Sequence, residues 1–135
     1  MKKYISDGIS TCWRDCLGCI LEVEPERVPD FLKLYGANKY MDKTREWLRE
    51  EWGKAMVCVH VNNFMETGKI RHNPIIGPDG YSIGMMGMIT SGDNHAVICK
   101  DGVVFYDNDC ERNHEYEGLM SYFIIYDLPK RYKKG

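Results

Sequence analysis

The stretch Thr11-Cys12-Trp13-Arg14-Asp15-Cys16-Leu17-Gly18-Cys19-Ile20 carries three cysteines spaced C-x₃-C-x₂-C. Thiolates at such spacing on a loop can hold an iron–sulfur cluster. Here Trp13, Cys16, Leu17, Ile20 and Leu21 recur at helical spacing straight through the run. On a helix the three sulfurs stack along one face and cannot converge on a cuboid. Structural zinc fares no better: Cys58-x-His60 and Cys110-x₃-His114 are candidate half-sites, but no clean C-x-x-C pair exists. Buried packing is the ordinary role for Cys16, Cys19, Cys58 and Cys99, since a free cysteine behaves as a small hydrophobe. No metal or other cofactor is expected.

Cys12 differs from the others by position. It falls in the first turn of the expected helix, directly after Ser10 and Thr11, either of which suits an N-cap. A helix start carries partial positive charge and unpaired N–H groups. Both favour a thiolate, the reactive form of cysteine, and the same N–H groups can hold an oxyanion. A thiol nucleophile needs a base, and the base needs an orienting group. His95 opens the apolar run His95-Ala96-Val97-Ile98-Cys99. Asp107 closes the run Val103-Val104-Phe105-Tyr106-Asp107. The intervening Lys100-Asp101-Gly102 signals a tight hairpin, which pairs the start of one strand with the end of the next. The expected catalytic set is therefore Cys12, His95 and Asp107. Thr11 and Asn94 are the candidates for oxyanion support, and Asn94 adjoins the histidine. His72 and His114 read as surface residues.

These residues need a scaffold to hold them. The first helix is expected over residues 12–22, a second short helix from Pro25 to near Pro29, and a third from Asn38 to Trp52 with Gly53 as its stop. Strands are expected at 55–61, 81–90, 95–99, 103–106 and 119–126, with 62–80 as a loop rich in Asn, Gly and Pro. Helices followed by an antiparallel meander make an α+β domain. Residues 1–53 form its helical part with the nucleophile, and 54–128 its antiparallel sheet with the histidine and aspartate. A chain of 135 residues suits one domain. Hydrophobic residues make up 44%, charged residues 28%, and the net charge is −2. That balance gives no electrostatic reason to bind nucleic acid or an anionic membrane. No apolar run is long enough to span a bilayer. The two lysines at the start precede no apolar stretch, so no secretory signal is read and a reducing, cytoplasmic compartment is expected. The Met-rich Gly84-Met85-Met86-Gly87-Met88 suits either core filling or an adaptable peptide groove.

Residues 11–31, TCWRDCLGCILEVEPERVPDF, resemble the opening of small papain-like proteins often carried by bacteriophages. That opening reads roughly D-C-hydrophobic-R-x-C, followed by a leucine-glutamate step and a V-P-x-F end. Asn94-His95-Ala96-Val97-Ile98 and the run from Val103 to Asp109 resemble the same group's H-A-V-V and H-D-P-H segments. The group is similar to the bacteriocin-processing papain-like peptidases. The resemblance implies a papain-like α+β fold, with Cys12 as nucleophile, His95 as base and Asp107 as orienter. It implies a cysteine-dependent amide hydrolase, a peptidase or isopeptidase, acting on peptide or protein in the host cytoplasm. An acyltransferase of transglutaminase type and a non-catalytic papain-like binding module are the alternatives. Two departures stand out. The glutamine that usually precedes the nucleophile has no counterpart, since the chain contains no Gln. Asp-Asn-Asp replaces Asp-Pro-His, leaving Asp109 without an assigned role.

Overall fold

The computed structural model describes residues 11–60, 64–66, 69–71, 79–88, 94–106 and 116–129. Ser10, His72, Asp107, Asp109, Cys110, His114 and the turn at 91–93 lie outside the described residues. Among the described residues three α-helices precede a sheet of five strands, all of whose pairings are antiparallel. The architecture is α+β.

Helix α1 spans Cys12–Leu21. Its apolar stripe buries Trp13, Cys16, Leu17 and Cys19. It ends where Glu22 takes a left-handed conformation at φ 57 and Val23 N–H returns to the Gly18 carbonyl. A 3₁₀ turn follows at Pro25–Arg27, so the helix expected there is a single turn. Helix α2, Phe31–Tyr35, escapes the periodicity because it is only five residues long. Its signal is local: the Asp30 carboxylate accepts from the Lys33 N–H at 3.3 Å, an N-cap. Helix α3, Tyr40–Trp47, runs on as one π-helical turn, Leu48–Trp52. Gly53 ends it at φ 59, its N–H reaching the Leu48 carbonyl. A left-handed stop of this kind favours glycine.

Strand β1 is Lys54–His60, β4 Tyr81–Met88, β5 Asn94–Lys100, β6 Val103–Tyr106 and β7 Tyr116–Asp127. Within the stretch read as loop, β2 (Phe64–Glu66) and β3 (Lys69–Arg71) form a separate small hairpin. The main sheet has the order β1-β7-β4-β5-β6. It is thus not a plain meander: β7, the last of the described strands, inserts between β1 and β4. The β5–β6 turn has Asp101 at φ 52 and Gly102 at φ 82. Two positive φ values match the right-handed twist of the paired strands.

Both sheet faces carry buried side chains. One face gives Met56, Ile83, Met85, Ala96, Ile98 and Phe123 to a core shared with Cys12, Trp13, Cys16, Leu17 and Cys19 of α1. The other face carries Met86, Val97, Cys99 and Tyr122. Met85 and Met86, adjacent on β4, therefore fill two different clusters as core residues. Gly84 sits opposite Val97 on one side and Tyr122 on the other, leaving room for both. No helix among the described residues is long and apolar enough to cross a membrane.

Candidate functional site

Cys12 is the first residue of α1, as the capping pattern indicates. It is the most exposed of the three helix cysteines, at 8% against 1% for Cys16 and 0% for Cys19. All three are free thiols. Seven residues of α-helix separate the first from the last by about 10 Å along the axis. The iron–sulfur reading fails on that geometry. Among the described residues no three His, Cys, Asp or Glu side chains gather as a metal site.

Thr11 stands at the N-cap position, but its side chain does not cap the helix. Its hydroxyl donates instead to Asp15 Oδ2 at 3.1 Å. Asp15 is fully buried, and Arg14 Nε lies 3.5 Å from its Oδ1. The donor of Thr11 is thus engaged by a carboxylate, which removes it as free oxyanion support. Asp15 itself carried no role in the sequence pattern. The available signal was an acid on the apolar stripe, one turn after Cys12 and on the helix face that Cys12 shares.

His95 is the second residue of β5 and is buried, with 4% exposed. Strand β5 packs against α1. Ala96, the next residue, belongs to the same cluster as Cys12. Cys12 therefore opens the helix that packs on the histidine strand, within the core cluster on the Ala96 face. Strand alternation adds a constraint. Pairing of β5 with β4 is unbroken from Lys100 to Asn94. Ala96 and Ile98 face the helices, whereas Val97 and Cys99 face away. His95 has the parity of Val97, and its direct cross-strand partner is Met86, a member of the second cluster. The structure packs α1 on β5, but the Cys12 cluster lies on the Ala96 face while strand parity gives His95 the opposite one. A thiol–imidazole contact must be made round the end of β5, at Asn94, rather than across the sheet. Asn94 opens the strand, paired with Gly87. Asp107 follows Tyr106, the last residue of β6, which pairs with Ile98.

A second residue missed by the sequence pattern is Tyr40, the first residue of α3. Its ring meets that of Trp13 edge-on, with centroids 5.7 Å apart at 86°. Burial lifts its phenol above the ordinary value, and the neighbouring Cys12 adds to the rise. The phenol and the thiol are electrostatic neighbours. Nothing in the one-dimensional pattern joins positions 12 and 40, because only the packing of α3 on α1 does so.

A cavity of about 300 Å³ opens elsewhere, lined by Val23, Arg27, Trp47, Glu51 and Trp52. None of the site residues lines it.

No protein-family model, no curated protein and no solved structure matches this chain.

Proposed function

We propose that this chain is a papain-like, cysteine-dependent amide hydrolase, a peptidase or isopeptidase of the cytoplasm. Cys12 is the nucleophile, His95 the base and Asp107 the orienting acid. The observation that supports the proposal is that Cys12 opens α1, which packs on β5, the strand whose second residue is His95. The catalytic step requires the imidazole to swing round the strand end toward the sulfur.

In the reaction, the Cys12 proton passes to His95 and the sulfur bonds to the amide carbon. The carbonyl pair moves onto oxygen, where the first-turn N–H groups of α1 meet it. The pair returns, the C–N bond breaks, and the amine leaves with the proton from His95. Water then attacks the thioester, and the acid product departs as the thiol is restored. The substrate is a peptide or protein amide.

The test uses the full chain on a mixture of host-lysate proteins, with new termini read by mass spectrometry. Wild type generates new termini and Cys12→Ala generates none. Cys16→Ser, altered at a core position, keeps turnover while losing stability. Equal loss of turnover in a folded Cys16→Ser variant contradicts the assignment. Products carrying an added primary amine in place of water mark the acyltransferase instead.

A further inference from the structure

Acylation of a thiol site needs more than a nucleophile and a base. As sulfur attacks, the carbonyl oxygen becomes an oxyanion, and preorganised donors must already face it. The α1 start provides backbone N–H groups that Thr11 does not cap. Asn94, at the start of the histidine strand, is one side-chain candidate, and a donor on the α1 side is the missing part. The chain has no Gln, and the Thr11 hydroxyl is committed to Asp15.

The packing of α3 supplies a candidate. Trp13 Nε1 donates to Thr44 Oγ1 at 3.1 Å, and Thr44 Oγ1 donates to the Tyr40 carbonyl at 2.7 Å. The Trp13 ring meets the Tyr40 ring edge-on. Trp13 is the neighbour of Cys12, so this chain of contacts pins the first residue of α3 to the first turn of α1. The Tyr40 side chain packs, half-buried, against the cluster that contains Cys12.

We propose that the Tyr40 hydroxyl is the side-chain oxyanion donor of the Cys12 site. This rests on the hydrolase reading above. A tyrosine phenol is protonated at neutral pH already at its ordinary value, and burial moves it further from titration. It therefore donates a proton in a hydrogen bond without giving it up, which is the task of an oxyanion donor.

Two reagents separate this role from any other. With p-nitrophenyl acetate, the Cys12 sulfur bonds to the carbonyl carbon while its proton passes to His95. The carbonyl pair moves onto oxygen, which accepts from Tyr40 Oη and the first-turn N–H groups. The pair returns, the bond to p-nitrophenolate breaks, and an acetyl thioester remains. Iodoacetamide instead loses iodide from a tetrahedral carbon as sulfur bonds to it, and no oxyanion forms. A Tyr40 donor matters to the first reaction and not to the second.

The experiment compares wild type, Tyr40→Phe and Cys12→Ala as full chains. Tyr40→Phe keeps the ring against Trp13 and removes only the hydroxyl. Its p-nitrophenolate burst is expected to slow by about a hundredfold. Its rate of Cys12 alkylation by iodoacetamide, followed by mass spectrometry, is expected to stay at the wild-type value, as is its thermal midpoint. A burst at the wild-type rate overturns the proposal. So does an equal slowing of burst and alkylation, which would place Tyr40 at the thiol or in the fold. A wild-type burst no larger than that of Cys12→Ala sinks the hydrolase reading itself and takes the Tyr40 role with it.

Discussion

The Thr11 hydroxyl donates to Asp15 Oδ2 at 3.1 Å, and the two residues bracket Cys12 in the first turn of α1. A carboxylate in that turn also suits the positive end of the helix. Asp15 is fully buried, and its loss takes a carboxylate away from both the Thr11 hydroxyl and the Arg14 side chain. Asp15→Ala is expected to destabilise the fold by about 1–3 kcal/mol. Asp15→Asn keeps a side-chain oxygen for Thr11 and should cost less. Urea unfolding of both variants gives the order. An Asn variant as unstable as the Ala variant contradicts the Thr11 bond as the source of the effect.

Thr44 holds α3 on α1 through one hydroxyl that accepts from Trp13 and donates to the Tyr40 carbonyl. Thr44→Val keeps the shape of the side chain and removes the hydroxyl. The buried Trp13 N–H then loses its partner. The expected loss is about 1–3 kcal/mol in urea unfolding. Thr44→Ser keeps the hydroxyl, loses one methyl, and should cost about 1 kcal/mol. If the two variants are equally stable, packing and not hydrogen bonding joins the helices.

Gly18 sits inside α1, where alanine is intrinsically better by about 1 kcal/mol. The structure reverses that preference. A Cβ at residue 18 would lie 2.9 Å from the Val23 carbonyl oxygen. That oxygen belongs to the backbone of the turn that ends the helix, so it cannot swing aside. Gly18→Ala is therefore expected to lower the thermal midpoint. A rise would show that the turn after α1 gives way easily.

The residues that carry local signals were legible in the sequence. Cys12 opens α1, Gly53 ends the α3 segment, and Asp101-Gly102 turns β5 into β6, each through chemistry that acts within a few residues. The α+β class follows from the change of period between the two halves. What failed to show depends on contacts distant in sequence. Alternation reports that β7 is a strand but not that it lies between β1 and β4. The short β2–β3 hairpin sits in a segment whose Asn and Gly content reads as loop. The parity of His95 was readable in principle, since it differs from that of Ala96, but only the helix packing shows which face α1 covers. Tyr40 gains meaning from where α1 and α3 meet, and Asp15 from its burial beside Thr11 and Arg14.

The face of the sheet turned away from the helices predicts a response to alkali. Cys99 is fully buried there, and burial pushes its thiol from 9.0 to about 12, against the opposing effect of the Gly84 backbone hydrogen bond. Tyr122, in the same cluster, moves from 10.0 to about 12, first through burial and then through Cys99. Its hydroxyl donates to the Gly102 carbonyl at 2.5 Å, tying β7 to the β5–β6 turn. The unfolded chain releases these protons at the ordinary values, whereas the folded chain keeps them to about 12. Above pH 9 the unfolded state thus binds fewer protons, and stability falls as pH rises. The contribution is complete below about pH 9 and is lost through about pH 12. Urea unfolding from about pH 8 to about pH 11 should show that decline, and Cys99→Val should make it shallower. Cys99 should also resist iodoacetamide in the native state at neutral pH while Cys12 reacts. A wild-type stability that stays level to pH 11 would mean that Cys99 and Tyr122 shed their protons without disturbing the packing of Met86 and Val97 around them.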